Sequence, residues 1–313
     1  MRLHKGKCYL AASFLALSVV ATGWAAGAAE GAGPERPAFR SDTTLVLVPV
    51  TVVDHHGAMV NGLASGAFTL TEDGVAQEIR SFSAEDAPVS IGIVLDLSGS
   101  MKGVLGAAKE SLRNLMKDAN PGDEAFLNAV STRPRAFSGF TDDFDGILSQ
   151  VAFEGAAGDT ALIDTVYGSL RQLRSGVHPR KALLVISDGM DNHSRHSREE
   201  LMNLAVESDA QIYTIATATS AQPQYKPIAL TEEKSGLLFL DELAARTGGM
   251  SFIVRGRADI ARATASIGEA LRNQYTIGYV PRGDGPSGRW RRIKVSVAGS
   301  GMRAYARAGY RPE

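Results

Sequence analysis

The sequence contains a single cysteine, Cys8, among its 313 residues. One cysteine excludes an intramolecular disulfide, a Cys-x-x-Cys zinc site and an iron–sulfur cluster. An excess of one charge is also missing, since 33 lysines and arginines stand against 34 aspartates and glutamates. Without a basic field to hold nucleic acid by counterion release, we expect no nucleic-acid partner.

Long hydrophobic runs are scarce. The strongest, Leu10–Val20, is about 11 residues long, short of the roughly 20 that span a bilayer. It follows three basic residues and precedes a small-residue stretch at 25–29, which is the order of a secretory signal peptide. We therefore predict a signal peptide at 1–29, cleaved near Ala29, with an uncleaved membrane anchor as the alternative. The protein is expected to be exported, periplasmic or secreted, with no transmembrane segment after cleavage.

The remaining chain has the composition of a folded protein, 44% hydrophobic and 21% charged, and divides into parts. A Pro- and Gly-bearing stretch predicts a linker at 30–41. From 88 to 273, apolar strands alternate with amphipathic helices, which predicts a doubly wound, mostly parallel α/β sheet with flanking helices. Residues 42–87 and 274–313 show strand patterns only. We predict that these two segments form one small antiparallel β domain, into which the α/β domain is inserted.

Two predicted elements bear on the later description. In the first β segment, Gln77–Ser83 is predicted as one strand after a turn at 72–74. Near the end of the α/β domain, the apolar spacing predicts a helix at Leu238–Arg246.

Side chains with oxygen atoms occur at three junctions between strands and helices. One apolar strand ends in the D-x-S-x-S segment 96–100, another ends in S-D-G at 187–189, and a G-x-T-x-L loop at 158–162 enters a helix between them. Sites in open parallel sheets form at the carboxyl ends of strands, so we expect these side chains to converge. The candidate metal ligands are Asp96, Ser98, Ser100, Thr160 and Asp188.

Hard oxygen donors without histidine or sulfur favour Mg²⁺, or Mn²⁺ or Ca²⁺, over zinc or copper. Two carboxylates roughly neutralise a divalent ion, so that it can still accept an anionic ligand. Each piece also has a purely structural interpretation. Ser100 and Thr160 are candidate helix caps, and Asp188-Gly189 is a common turn signal.

Taken together, the three motifs resemble the metal-ion-dependent adhesion site of von Willebrand factor type A domains. The phrases LVPVTVVD, FTLTEDGVAQEIRSFS, VSIGIVLDLSGSM and YTIGYVP resemble the exported bacterial "VWFA-related" proteins common in Acidobacteria. The resemblance implies a von Willebrand factor type A domain at 88–273. It also implies that the hydroxyls of 96–100 bind the metal directly, that Thr160 and the aspartates bind it directly or through water, and that a partner's carboxylate fills the last position.

Three classes of function follow. The first is a metal-dependent, adhesion-type protein-binding module whose partner offers a Glu or Asp carboxylate. The second is a structural module of an envelope assembly, in which the metal only stabilises the fold. The third, a metal-dependent hydrolase, has less support: Ser98 stands where an Asp-nucleophile phosphatase has a second carboxylate, and Leu97-Ser98-Gly99 lacks the leading glycine of G-x-S-x-G. We predict that the protein is not an enzyme, and the sequence indicates no particular oligomeric state.

Other charged groups are given structural interpretations. The acidic run at 142–145 is predicted to begin a helix, in preference to rimming the site. His193 and His196 are predicted to be solvated loop residues, in preference to a zinc pair. The three arginines at 289–292 are predicted to lie on the outward face of a strand.

The candidate ligands themselves are expected to be exposed strand-end residues, whose replacement does not unfold the domain. Among the three segments, the Thr160 loop is expected to shift most readily when a ligand binds.

Overall fold

The structure is a computed structural model that describes residues 45–218, 227–282 and 288–312. The predicted signal peptide and linker lie outside these residues. The described residues belong to one compact unit. Within the described ranges, no helix combines the length and the apolar character needed to cross a membrane.

The described residues form strands and α-helices in the following order along the chain. The strands are β1 (Val46–Val53), β2 (Phe68–Glu72), β3 (Val75–Gln77), β4 (Ile79–Ser83), β5 (Val89–Asp96), β6 (Glu124–Val130), β7 (Arg135–Ala136), β8 (Arg180–Ser187), β9 (Gln211–Thr217), β10 (Ser251–Val254), β11 (Tyr275–Tyr279), β12 (Arg291–Val297), β13 (Arg303–Ala306) and β14 (Gly309–Tyr310). The helices are α1 (Leu105–Lys117), α2 (Phe144–Ala152), α3 (Leu162–Leu173), α4 (Arg198–Glu207), α5 (Pro227–Thr247) and α6 (Arg257–Arg272).

The middle of the chain forms a six-stranded sheet in the order β10-β9-β8-β5-β6-β7. Its neighbouring strands are parallel, except that β7 runs antiparallel to β6. Every residue of the central strand β5 is buried, which is why its sequence is apolar almost throughout. Helices α1, α2 and α6 cover one face, and α3, α4 and α5 cover the other. The predicted α/β fold class is confirmed.

The order of the strands reverses at β5, which lies between β8 and β6. In this register Asp96 is paired with Val130, and Leu95 is paired with Ile186. The carboxyl ends of β5, β6 and β8 therefore lie side by side, and the loops that follow them meet at one edge, which we call the site edge. Open α/β sheets bind their ligands at such a reversal of strand order.

Strands from both ends of the chain form two antiparallel sheets, ordered β13-β1-β11-β4 and β14-β12-β2-β3. Strand β1 pairs with β11 and β13, and β2 pairs with β12, so each sheet contains strands that precede and strands that follow the α/β part. Their apolar side chains form one common core. The predicted fold class includes antiparallel β structure made from both ends of the chain, and these two sheets are that structure. The boundaries at 42–87, 88–273 and 274–313 stay predictions.

Two element boundaries differ from those predicted. The single strand expected at Gln77–Ser83 is divided between β3 and β4, because β3 pairs with β2 whereas β4 pairs with β11 in the other sheet. Helix α5 begins at Pro227, eleven positions before the predicted start at Leu238. The part of α5 that precedes the predicted start contains Gly236, and its apolar residues show no clear helical period. Its sequence therefore does not predict a helix.

Arg291 corrects the prediction that the three arginines at 289–292 face outward. Its side chain is only 11% exposed, and its Nη1 donates to Oε1 of Glu72 at 3.0 Å. Glu72 Oε2 also accepts from the hydroxyl groups of Tyr279, at 2.5 Å, and Tyr310, at 3.1 Å. Because Tyr279 and Glu72 belong to different sheets, this buried carboxylate links the two layers. Arg292 is exposed, as predicted.

Candidate functional site

Asp96 ends the buried strand β5 and is itself fully buried. Its Oδ1 accepts the backbone N–H of Ser98 at 2.8 Å, and its Oδ2 accepts the hydroxyl of Ser187, the last residue of β8, at 2.6 Å. Ser187 in turn accepts the N–H of Gly189 at 3.0 Å. The carboxylate therefore joins the ends of β5 and β8 and holds the turn that leads towards Ser100.

The two serines of the first motif lie next to each other. Their Oγ atoms are 3.1 Å apart, with Ser98 buried and Ser100 exposed. A short 3-10 helix, Gly99–Gly103, follows, and α1 begins only at Leu105 with Val104 as its N-cap. The interpretation of Ser100 as the helix cap is therefore wrong, and Ser100 is an exposed residue beside the buried Ser98.

Asp188 follows β8 and is 2% exposed. Its Oδ1 accepts the N–H of Met190 at 3.0 Å, and Gly189 has a φ of 78°. The S-D-G segment is thus a turn, as its structural interpretation states. Its other oxygen, Oδ2, is buried and has no hydrogen-bond partner among the described residues. An unpaired buried carboxylate oxygen is costly, so its presence points to a group that binds it.

The Thr160 loop is joined to both other segments by backbone hydrogen bonds. Gly99 N–H donates to Gly158 O at 3.3 Å, and Ala157 N–H donates to Leu97 O at 2.8 Å. On the other side, the N–H groups of Asn192 and His193 donate to Thr160 O, at 3.0 and 3.1 Å. The three predicted segments therefore meet at the site edge. The N-cap of α3 is Ala161, so the interpretation of Thr160 as a cap is wrong.

The burial of the site corrects the expectation that the candidate ligands are exposed. Of the five, Ser100 alone is exposed, and the other four are buried where the loops after β5, α2 and β8 are hydrogen-bonded to one another. Burial raises the pKa of Asp96 to about 6, and the charge of Asp188 adds to this rise, against hydrogen bonds from Ser187 and Ser98 that lower it. Two buried carboxylates with adjacent hydroxyl groups and one unpaired oxygen fit a hard divalent cation.

A second set of polar residues clamps the Thr160 loop to the loop after Asp188. Asn192 Oδ1 accepts the N–H of Thr160, and Asp191 Oδ2 accepts that of Ile163, both at 2.9 Å. Asp164 Oδ2 and Oδ1 accept the N–H groups of Arg195 and His196, both at 3.0 Å. The Thr160 loop and its neighbour therefore form one hydrogen-bonded unit, and the expected shift of the Thr160 loop when a ligand binds stays a prediction.

His196 belongs to this clamp. It is a loop residue that is still 40% exposed, as predicted in part, but its ring has a specific partner. Its Nδ1 lies 2.6 Å from Oδ1 of Asp164, and its ring stacks on Tyr167 with centroids 4.0 Å apart. Burial alone would raise the pKa of Asp164, but hydrogen bonds from the amides of His196 and Arg195 hold it below its usual value. His193 is half exposed, with Nδ1 4.0 Å from a carboxylate oxygen of Asp159.

We expect Asp164→Ala to lower the free energy of unfolding by about 2 kcal/mol, because two amides and an imidazole lose a charged acceptor. Urea unfolding of the variant and wild type measures the difference. Asp145→Ala, which removes an exposed carboxylate from the first turn of α2, is the matched control and should change stability by less than about 0.5 kcal/mol. Equal stability of Asp164→Ala and wild type would show that the clamp contributes nothing.

The acidic run at 142–145 lies away from the site edge. Asp143 is the N-cap of α2 and accepts the N–H of Gly146 at 2.9 Å, which confirms the predicted helix start. Its neighbour Thr141 pairs with Ala125 near the beginning of β6, at the opposite end of the sheet from Asp96.

Sequence reasoning missed the residues that support the candidate ligands. Ser187 directly precedes Asp188, and the polar run Asp191–Ser194 follows it, so their closeness in the chain was an available signal. The pairing of Asp164 with Arg195 and His196 had no local signal, since it depends on how α3 lies against the loop. The described residues contain no cluster of three or more His, Cys, Asp or Glu side chains suited to a metal, and the candidate site combines two carboxylates with hydroxyl groups instead.

The fold and the site edge define a doubly wound α/β domain with oxygen donors at its switch point. Residues 91–190 match the sequence model of the von Willebrand factor type A domain. Within the α/β part, the segment from β5 to the residues just after β8 is accordingly identified as von Willebrand factor type A sequence. The likeness to the exported bacterial VWFA-related proteins stays a prediction, and a comparison with curated proteins finds no match.

Several solved structures are similar to the chain. A von Willebrand factor type A protein from Catenulispora acidiphila is 13% identical, with a TM-score of 0.50 over 88% of this chain and 75% of that one. BatB from Bacteroides thetaiotaomicron is 17% identical, with a TM-score of 0.46 over 58% of this chain and 98% of its own. The vWF domain of the type V pili tip protein Mfa5 from Porphyromonas gingivalis is 14% identical, with a TM-score of 0.47 over 60% and 96%.

Proposed function

We propose that this protein is an exported, non-enzymatic protein-binding module whose site edge holds a divalent cation. Mg²⁺ is the first candidate, with Mn²⁺ and Ca²⁺ as alternatives, and a Glu or Asp carboxylate of the partner protein completes its coordination. The residues that hold the ion are Asp96, Ser98, Ser100, Thr160 and Asp188. The observation that carries the proposal is the buried, unpaired Oδ2 of Asp188, which directly follows Ser187, the residue whose hydroxyl donates to Asp96.

The charges of the site favour an anionic partner. Two carboxylates balance the two positive charges of the ion, and the hydroxyl groups of Ser98, Ser100 and Thr160 add donors without charge. An ion held in this way keeps its attraction for an external carboxylate, because its ligands do not overcompensate its charge. Ser100 is exposed at this edge, so a partner approaching from solvent can reach the ion beside it.

The same edge offers further surface to a protein partner. Phe153, at the end of α2, is 97% exposed. The adjoining carbonyl groups of Ala152 and Glu154 accept from Lys109 in the first half of α1, which begins at this edge. Exposed aromatic side chains are typical of contact surfaces between proteins, and Phe153 stands four positions before Ala157, which is hydrogen-bonded to Leu97 at the site edge.

A hydrolytic role has less support from the geometry. General acid–base catalysis needs a carboxyl group free to reach a substrate proton. Asp96 has the raised pKa of such a group, but both of its oxygens are hydrogen-bonded to the protein. The imidazole of His196 is paired with Asp164 and is not free to act as a base.

The proposal is tested by affinity capture from the native envelope fraction with the purified protein as bait. We expect capture of a partner in Mg²⁺, its loss in EDTA, its recovery when Mg²⁺ is restored, and no capture by Asp96→Ala bait. Asp159→Ala, which removes a half-exposed carboxylate beside Thr160, is the control and should capture normally. If Mg²⁺ raises the melting temperature but capture is the same in EDTA, the metal only stabilises the fold and the binding role is refuted.

A further inference from the structure

Helix α5 contains a glycine in its interior, Gly236, which is buried. Glycine destabilises a helix interior relative to alanine, because it loses more backbone freedom on folding. Glycine at a buried helical position is therefore explained when another backbone segment lies too close to leave room for a side chain. Gly236 has such a neighbour, and that neighbour belongs to the candidate metal site.

The backbone of α5 lies directly against the S-D-G turn. A Cβ atom on Gly236 would lie 2.6 Å from the carbonyl carbon and oxygen of Gly189 and 3.1 Å from the carbonyl oxygen of Asp188. A Cβ on Gly189 would in turn lie 2.4 Å from Gly236 O. Real Cβ atoms do not approach backbone atoms this closely, so a side chain at either position forces the helix and the turn apart.

Neighbouring contacts hold α5 in place beside the turn. The Nη1 of Arg198, the first residue of α4, donates to Ser235 Oγ at 2.8 Å, and its guanidinium lies 4.9 Å from the ring centroid of Phe239. Phe239 and Leu240 are buried in the core between the sheet and helices α3, α4 and α5. Since the helix is anchored one residue before Gly236 and again three and four residues after it, a side chain at Gly236 would displace the turn rather than the helix.

We propose that Gly236 is a positioning residue for the metal site. Because it has no side chain, α5 can pack directly against the Asp188–Gly189 turn and fix the position of that turn. The backbone of Asp188 and Gly189 is the part of the turn that lies against the helix. A shift of this backbone would therefore move the unpaired Oδ2 of Asp188 relative to Asp96 and the serines. The inference rests on the proposed function, because it concerns how the same site is kept ready for its ion. No part of it requires Gly236 to contact the metal.

The test compares two alanine substitutions at helical glycines. Gly236→Ala should weaken Mg²⁺ binding by about tenfold, the lower end of what is lost when groups that orient metal ligands are changed. Gly168→Ala, in the interior of α3, is the matched control, since a Cβ there meets no atom within 4 Å. It should bind Mg²⁺ as wild type does. Calorimetric titration well below the melting temperatures measures both.

Gly236→Ala is also expected to lower the melting temperature. A third variant tests whether lower stability by itself weakens Mg²⁺ binding. Ile277→Val removes one methyl group from the core of the β sheets, remote from the site, and should lower stability without changing Mg²⁺ affinity. If Ile277→Val weakens Mg²⁺ binding as much as Gly236→Ala, the effect is general destabilisation and the positioning role is refuted. Wild-type affinity in Gly236→Ala refutes it as well.

Hydrogen exchange on the wild-type protein gives a readout that needs no variant. Mg²⁺ should slow amide exchange at residues 233–240 of α5 together with residues 186–192, because the turn and the helix are held as one unit. Protection confined to the loops at 96–100, 158–161 and 186–192, with α5 unchanged, overturns the inference while leaving the metal site intact. Absence of Mg²⁺, Mn²⁺ and Ca²⁺ binding by wild type overturns the proposed function, and the positioning role with it.

Discussion

Asp96→Ala is expected to lower the affinity for Mg²⁺ by at least about 100-fold. The substitution removes one of two buried carboxylates and thus half of the negative charge available to a divalent ion. A unit charge about 4 Å from a doubly charged ion, at an effective dielectric constant of about 20, contributes roughly 8 kcal/mol, most of which is offset by dehydration. The loss of even about 3 kcal/mol of that interaction corresponds to a factor of about 100.

Two further variants make this result specific. Ser98→Ala should weaken binding less, by about tenfold, because water can replace a neutral oxygen donor but not a charge. Asp159→Ala changes the net charge by the same amount as Asp96→Ala, in the loop that also carries Thr160, and should bind Mg²⁺ within about twofold of wild type. Isothermal titration calorimetry on the four proteins gives the affinities. Equal affinity of wild type and Asp96→Ala would mean that the ion binds elsewhere.

Asp96→Asn is expected to stabilise the metal-free protein by roughly 2 to 3 kcal/mol at neutral pH. Burial raises the pKa of Asp96 from 3.8 to about 6, and each unit of that rise corresponds to about 1.4 kcal/mol of free energy lost to the charged form. Asparagine keeps the shape and an oxygen that can accept from Ser98 without carrying the charge. If the proposed ion binds at this site, it would offset the cost of burying the charged carboxylate.

The dependence of this difference on pH follows from the direction of the shift. Because the pKa of Asp96 is higher in the folded than in the unfolded protein, the folded state binds the proton more tightly between pH 3.8 and about 6. The Asp96 penalty is therefore absent below that window, grows through it, and is complete above it. Urea unfolding in EDTA at pH 4, 5, 6 and 7.5 should show Asp96→Asn gaining on wild type up to pH 6 and then levelling. A difference that is constant across the series would show that Asp96 is not titrating in this way.

Much of the architecture follows from local patterns in the sequence. Strand β5 is apolar at nearly every position and ends in Asp96, which identifies a central strand whose end lies at the site edge. The alternation of strands and helices then places the S-D-G motif after a neighbouring strand. The position of β5 and the position of the S-D-G motif both follow from short-range periodicity. They can therefore be predicted without any knowledge of tertiary contacts.

Other features depend on contacts between segments that are distant in the chain. Local sequence patterns do not predict such contacts. The clamp pairs Asp164 with the amides of Arg195 and His196, about thirty residues away. Arg291 meets Glu72 across 219 positions, so its burial has no local signal. The early start of α5 is hidden for a related reason: Gly236, which locally argues against a helix, is required by the turn packed against it.

The most direct test of the account is the location of a bound ion in crystals grown with Mn²⁺, whose anomalous scattering identifies it. The account predicts one strong peak at the site edge, within about 2.5 Å of the hydroxyl oxygens of Ser98 and Ser100. The Oδ2 of Asp188 should face the peak directly or through one water. A peak elsewhere, or a fully empty site edge in crystals with millimolar Mn²⁺, would contradict the account.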